Sequence, residues 1–126
     1  MVILDTNIII DHLRQKTSGR SILRQLSHDN PKETLAVSII SITELYQGKI
    51  TLKKETEKDM LAVISPLKIL PFTYEIAHLA GCFIRDRIAD EFADAAIGAT
   101  AIVNQASLYT LNTRDFASIP DLDLYK

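Results

Sequence analysis

The sequence predicts an α/β fold built on a largely parallel sheet. Short apolar runs alternate along the chain with longer segments of helical periodicity, the order that βαβ units produce. A chain of 126 residues, 47% of them hydrophobic, is long enough to bury one core, so we expect a single domain over residues 1–126. The single cysteine excludes an internal disulfide bond and a thiolate zinc cluster.

The apolar runs predict four strands and a short edge strand. The third strand is framed by Pro66 and Pro71, so we expect it to be short. The four strands are expected at Val2–Leu4, Leu35–Ser38, Lys68–Phe72 and Leu108–Thr110, and the edge strand at Leu122–Tyr125.

Segments of helical periodicity lie between these strands. In the helix that begins at Tyr74, the apolar residues form one stripe, which is typical of a helix that packs on a core. The expected helices are Asn7–Gln15, Ser21–His28, Ile42–Lys49, Lys54–Ser65, Tyr74–Ile88 and Glu91–Asn104.

Four acidic residues, Asp5, Glu44, Asp94 and Asp115, lie in or beside apolar segments, where an unpartnered carboxylate is costly. Asp5 follows the first strand, Glu44 lies in the first turn after the second, and Asp115 comes soon after the fourth. Ligand sites of open α/β sheets lie at the carboxyl ends of the strands, so we expect these three to share one edge. Carboxylates that converge raise one another's pKa values unless a cation neutralises them, and oxygen ligands suit Mg²⁺ or Mn²⁺.

Asp94 lies on a helix rather than after a strand. By helical periodicity it shares a stripe with Asp90, Gly98 and Ala101, whereas the opposite stripe is apolar and suits the core. No bulky side chain covers the first stripe, so we expect space for an ion or a phosphate beside Asp94. The residues of the opposite stripe are Phe92, Ala96, Ala99 and Val103.

Each acid also has a purely structural interpretation. Asp5 and Asp115 are suited to capping the helix or turn that follows them. The segment Ser41–Glu44 matches a capping box, and for Glu44 taken alone this interpretation is the stronger one. Acidic residues near Asp94 suit the N-terminal end of a helix dipole. Together, these interpretations leave the common sheet edge unexplained.

Four segments around the acids resemble the PIN-domain ribonucleases, specifically the VapC-type toxins of bacterial and archaeal toxin–antitoxin pairs. The resemblance covers nearly the whole chain, and it implies the three-layer α/β/α arrangement of that family around a sheet of four to five strands. The segments, in order, are Ile3–Asn7, Ser38–Gly48, Asp94–Ala101 and Leu111–Phe116.

The resemblance implies a metal-binding and catalytic quartet made of the four acids, with Mg²⁺, or alternatively Mn²⁺, as cofactor. The implied chemistry is in-line attack of activated water on an RNA phosphodiester. Asn7 would orient the first aspartate, Thr113 would help place a ligand or water, and Asp90 is a candidate supporting acid. The candidate contacts to RNA phosphates are Arg85, Arg87 and Arg114.

The resemblance also implies an RNA substrate, a cognate antitoxin and a homodimer. No signal peptide or bilayer-length apolar run is present, so we expect a cytoplasmic protein without membrane contact. The net charge is −2, but it becomes +2 when the four acids are set aside as metal-bound, because 14 basic residues then stand against 12 acidic ones. Net charge therefore neither supports nor excludes an RNA substrate.

Two other classes stay open. A phosphoryl-transfer enzyme of the haloacid dehalogenase type places an aspartate after its first strand but expects a second aspartate where Asn7 stands. A response-regulator receiver needs an acidic pair after the first strand and a phosphoacceptor aspartate after a middle strand, and Thr73–Glu75 supplies none.

Overall fold

The computed structural model describes residues 1–15 and 18–126. Its four strands are β1 (Val2–Leu4), β2 (Leu35–Ser38), β3 (Lys68–Leu70) and β4 (Ser107–Tyr109). They form one sheet in the order β3-β2-β1-β4, and each neighbouring pair is parallel, so the parallel sheet expected from the sequence is confirmed. Two predicted bounds are wrong: β3 ends at Leu70 rather than Phe72, since Pro71 has no N–H for a ladder, and β4 lies one residue earlier than predicted.

The expected edge strand at Leu122–Tyr125 is wrong as a strand. A single parallel bridge from Leu124 to Leu108 is what the C-terminal segment contributes beside β4. Two backbone hydrogen bonds flank that bridge, from Leu108 N to Asp123 O and from Tyr125 N to Leu108 O, both 2.8 Å long. The segment thus follows the sheet edge without extending into a ladder.

In the described part of the chain, seven α-helices connect and flank the strands: α1 (Thr6–Arg14), α2 (Ile22–Asp29), α3 (Ile39–Gln47), α4 (Lys54–Ile64), α5 (Tyr74–Arg85), α6 (Phe92–Val103) and α7 (Thr113–Phe116). Four of them agree with the predicted bounds to within one residue at each end. Helix α5 ends three residues before the predicted Ile88, and both the short helix α7 and a 3₁₀ turn at Lys49–Leu52 were not predicted.

Side chains of β1 alternate between the two faces of the sheet, and each face has its own core. Val2 and Leu4 pack with α1 and α2, and Val37 of β2 packs with α1, α3 and α4. Ile3 and Leu108 pack on the other face with α5 and α6. This arrangement confirms the three layers. Among the described residues, no helix is long and apolar enough to cross a membrane.

Helix α3 begins earlier than predicted, at Ile39 rather than Ile42. Ser38, the last residue of β2, is the N-cap, and its Oγ accepts a hydrogen bond from Ile40 N at 3.0 Å. Ser41 therefore lies inside the helix, fully buried, and the capping box proposed for Ser41–Glu44 is wrong. Glu44 consequently lies one turn further along the helix than predicted.

The stripe that the sequence predicted to be open is open at Asp90 and Asp94, which line a cavity, but not further along α6. Every residue from Ala95 to Ala101 is buried, including Gly98 on the predicted open side. A Cβ atom at Gly98 would lie 2.8 Å from Ile119 Cδ1, so this glycine allows the C-terminal segment to pack closely against the helix. Phe92, assigned to the core stripe, is 54% exposed.

Candidate active site

Asp5 is the junction between β1 and α1. Its backbone N–H continues the ladder to β4 by donating to Tyr109 O at 2.9 Å, and its side chain caps α1. Oδ1 accepts from Thr6 N at 2.8 Å, and Oδ2 accepts from Thr110 Oγ1 at 2.6 Å. The capping interpretation is thus correct for Asp5. The cap uses only one of the two carboxyl oxygens, so Asp5 can have a role in the site as well.

The environment of Asp5 opposes its ionisation. Burial is the largest influence and raises the pKa of the carboxyl group, and the charges of Glu44 and Asp115 raise it further. The hydrogen bonds from Thr110 and Thr6 act in the opposite direction but do not cancel the effect of burial.

Glu44 projects from α3 toward the start of α1. Its Oε1 accepts a hydrogen bond of 2.6 Å from Thr6 Oγ1, whose hydroxyl group also lies 2.9 Å from Ser41 Oγ. Thr6 and Ser41 are buried, whereas Glu44 is half-buried. The buried hydroxyl group of Thr6 therefore holds a partly exposed carboxylate near Asp5, and the buried hydroxyl group of Ser41 supports Thr6.

Asp94 occupies the first turn of α6 and is half-buried. Burial raises the pKa of its carboxyl group from 3.8 to about 6, helped by the charges of Asp5, Asp115, Glu44 and Glu91 in that order. A carboxylate at a helix N-terminus is otherwise stabilised by the helix dipole. The structure therefore brings the four acids named from the sequence within electrostatic range of one another.

Asp115 lies in α7 and is exposed. The N-cap of α7 is Asn112, so Asp115 does not cap it. Together with Asp94, Asp115 lines a cavity of about 500 Å³, hereafter the acid cavity. The acid cavity is also lined by Asp90, Glu91, Arg114, Ser118 and two apolar residues, Ile88 and Ala89.

The supporting residues named from the sequence fall into two groups. Asp90 and Arg114 line the acid cavity. Thr113 is exposed at the start of α7 and is not in that lining. Arg85 is bound to Asp86 through two hydrogen bonds of 2.8 and 3.0 Å, and Arg87 is exposed with a φ of 57°. Neither arginine reaches the acid cavity.

Asn7 acts on the site through Thr110 rather than directly on Asp5. Its Oδ1 accepts from Leu111 N at 3.2 Å, and its Nδ2 lies 3.5 Å from Thr110 Oγ1. Thr110 Oγ1 also accepts from Asn112 N at 3.0 Å. These contacts fix the loop between β4 and α7 against α1. Asp115 lies in α7, directly after that loop.

Thr6, Ser41 and Thr110 are the functional-site residues that the sequence did not reveal. Their hydroxyl groups contact the carboxylates of Glu44 and Asp5 or support that contact. Thr6 is adjacent to Asp5 in the chain, and this position was the one available signal. Ser and Thr are too common at helix starts and strand ends for the rest to be recognised without the fold.

Carboxyl groups from three helices and one strand end thus lie within electrostatic range of one another at the carboxyl edge of a parallel α/β sheet. The PIN-domain family model matches residues 2–122. Ribonuclease VapC10 of Mycobacterium tuberculosis is 30% identical over 97% of this chain and 90% of the relative. Ribonuclease VapC1 of Rickettsia felis is 35% identical over 98% of this chain and 93% of the relative. The chain therefore belongs to the PIN-domain family, and its curated relatives are VapC proteins.

Solved structures agree with this assignment. VapBC2 from Rickettsia felis, bound to a DNA fragment from its promoter, has a TM-score of 0.79 and 26% identity, covering 99% of this chain and 98% of that chain. VapBC from Salmonella typhimurium has a TM-score of 0.82 at 23% identity, covering 98% and 96%, and it supports the fold alone. Family membership decides against the haloacid dehalogenase and receiver classes.

Proposed function

We propose that this protein is a metal-dependent endoribonuclease toxin that is restrained by a cognate antitoxin. The observation that carries the proposal is the position of Asp94 within electrostatic range of three further carboxyl groups at one sheet edge, which helps to raise its pKa to about 6. A fold does not need four mutually repelling acids at one sheet edge, whereas a cation site does. The names of the VapC relatives supply the reaction, cleavage of RNA.

The donor set fits Mg²⁺ or Mn²⁺, with Asp5, Glu44, Asp94 and Asp115 as the residues that would hold the ion. All the available ligand atoms are carboxylate oxygens, which these hard cations prefer. Within residues 1–15 and 18–126, no three side chains of His, Cys, Asp or Glu already stand close enough to hold a metal. Magnesium does not require that arrangement, because one or two carboxylates bind it directly and it keeps several waters, to which the remaining acids of the four would hydrogen-bond.

A bound divalent cation would lower the pKa of water and stabilise the charge that develops on the phosphate during in-line attack. The protein's part is to orient its oxygens. Thr110 fixes one oxygen of Asp5, and Thr6 fixes one oxygen of Glu44. Arg114 lines the acid cavity, and we expect it to contact a phosphate oxygen of the substrate.

The partners follow from the relatives. The similar structures from Rickettsia felis and Klebsiella pneumoniae, the latter 28% identical with a TM-score of 0.73, are toxin–antitoxin complexes. We extend that assembly to this chain, with an antitoxin that covers the acid site and a homodimer of the toxin. Because the substrate is cellular RNA, the cytoplasm is the proposed location.

Brief induced expression in bacteria tests the function. Growth should stop, and sequencing of RNA 5′ ends should reveal new cleavage sites that are absent when the Asp94→Asn variant is expressed to the same level. Co-expression of the cognate antitoxin should restore growth. Unimpaired growth with abundant folded protein and no new RNA ends would contradict the proposal.

A further inference from the structure

A second cavity, of about 200 Å³, adjoins the acid site on the side of α1 and α3. Glu44 is part of its lining, so this α1–α3 cavity and the metal site proposed above share a carboxylate. Two cationic residues also line it: Arg14, the last residue of α1, and Lys49, which follows the C-cap of α3. The sequence had not marked either residue as functional.

The charges of Arg14 and Lys49 are available to a ligand. Both side chains are exposed, and in the described part of the chain neither forms an ion pair or a side-chain hydrogen bond. Arg85 is different, because both carboxylate oxygens of Asp86 already engage it. An arginine paired in this way has fewer free N–H donors for a phosphate.

The balance of charge differs between the two cavities. Four acidic residues and one arginine, Arg114, line the acid cavity. Two cations and one carboxylate, Glu44, line the α1–α3 cavity. At the second cavity a polyanion is attracted by the protein's own cations, whereas at the first cavity its attraction depends on the bound metal ion and on Arg114. This difference favours one direction for a strand that crosses the site.

We propose that Arg14 and Lys49 form a subsite for an RNA phosphate that neighbours the scissile one. The inference rests on the function proposed above and adds the path of the substrate to it. A guanidinium and an ammonium group in the wall of one cavity suit a phosphodiester. The apolar part of the wall, which includes Ile10 and Ile50, suits the ribose or base of the same nucleotide.

A purely structural role for these cations has a different signature. Arg14 lies in the last turn of α1 and Lys49 directly after the C-cap of α3, so each cation is near a helix C-terminus, where it complements the helix dipole. In that role, removing the charge would change the melting temperature and leave RNA binding untouched. In the role proposed here, RNA binding changes and the melting temperature stays nearly constant.

The test compares two double variants that remove the same charge. One is Arg14→Gln with Lys49→Gln, and the matched control is Arg20→Gln with Lys32→Gln, at exposed positions on either side of α2. Binding of a fluorescent single-stranded RNA is measured in an Asp94→Asn background, which prevents cleavage, over a series of salt concentrations. Steady-state cleavage is measured with the same substitutions in the otherwise unchanged protein.

The cavity variant should bind RNA about tenfold more weakly than the control at low salt, as expected when charge-assisted hydrogen bonds are removed. The slope of log affinity against log salt should fall by about 0.7 for each RNA phosphate that the variant no longer neutralises. KM should rise with little change in kcat. The charge-preserving pair Arg14→Lys with Lys49→Arg should restore most of the binding.

Equal affinity and equal salt slope in the cavity variant and its control would overturn the subsite and leave the proposed function standing. If the unchanged protein cuts no RNA and the Asp94→Asn protein binds none, the proposed function fails, and the subsite fails with it. The two failures are therefore distinguishable.

Discussion

Thr6 Oγ1 donates a hydrogen bond of 2.6 Å to Glu44 Oε1, and this contact joins the start of α1 to the second turn of α3. Thr6 directly follows Asp5, so the same backbone turn positions two of the four acids. Ser41 supports the contact from inside α3, 2.9 Å from the Thr6 hydroxyl group. The orientation of Glu44 is thus built into the packing of α3 on α1.

Replacing Thr6 with valine keeps the shape of the side chain and removes the hydroxyl group. We predict a decrease of about 1–2 kcal/mol in unfolding free energy, because buried Ser41 is left without this partner. RNA cleavage should fall at least about tenfold, since groups that orient metal ligands matter nearly as much as the ligands. Denaturation and cleavage assays measure both effects. Thr6→Ser should retain activity, and full activity in Thr6→Val would count against the role of this hydrogen bond.

The substitution Glu44→Gln separates charge from shape at α3. Glutamine still offers a carbonyl oxygen to the Thr6 hydroxyl group, so folding should be nearly intact, but it cannot supply the negative charge that a hard divalent cation requires. Cleavage should be abolished. Glu75→Gln, at an exposed position in the first turn of α5, is the matched control and should be active. An active Glu44→Gln protein would leave a three-acid site.

The sequence predicted the sheet well and the start of α3 poorly, for identifiable reasons. Strand runs such as Leu35–Ser38 are apolar and bounded, and their alternation with helices admits few topologies. At α3, the local capping signal favoured Ser41, but the buried contact between Ser41 and Thr6 stabilises a helix that begins three residues earlier. Tertiary contacts of this kind leave no local trace.

The candidate site shows the same limit. The acids were recognisable because a carboxylate beside an apolar run is unusual, and Asp5 and Asp115 also follow strands. The burial of Gly98 could not be recognised from the sequence, because the side chain that packs against it, Ile119, lies in the C-terminal segment. Thr110 was equally hidden, since its bond to Asp5 depends on the register of β4 beside β1.

The raised pKa of Asp94 predicts how stability depends on pH in the metal-free protein. The folded state holds the proton more tightly than the unfolded state, so this group lowers the free energy of unfolding as pH rises from 3.8 through about 6. Asp94→Asn should remove a destabilisation on the order of 1 kcal/mol at neutral pH, after allowance for solvent screening of a half-exposed group.

Denaturation curves between pH ~4 and ~7.5 measure that effect of Asp94. Some pH dependence of the same sign should persist in Asp94→Asn, because the pKa of Asp5 is also raised. Asp121→Asn is the control, at an exposed position whose φ of 65° suits asparagine as well as aspartate. Equal stability of Asp94→Asn and the unchanged protein at neutral pH would argue that the carboxyl groups do not repel one another.

Divalent cations should stabilise the folded protein, because they bind the acid cluster in the folded state and relieve its repulsion. We predict that saturating Mn²⁺ raises the unfolding free energy by on the order of 1–3 kcal/mol. The response should be weaker in Asp94→Asn and unchanged in Asp121→Asn. A melting temperature that stays constant across a Mn²⁺ titration would show that the four acids bind no cation.

Cleavage of single-stranded RNA by the purified protein, with and without divalent cation, tests the central claim most directly. We predict cleavage in Mg²⁺ or Mn²⁺, its loss in EDTA, and its recovery when excess cation is restored. Asp94→Asn and Asp115→Asn should be inactive, and Asp121→Asn should cut like the unchanged protein. Cleavage that continues in EDTA, or that Asp94→Asn performs at the normal rate, would contradict a metal-dependent ribonuclease site at these acids.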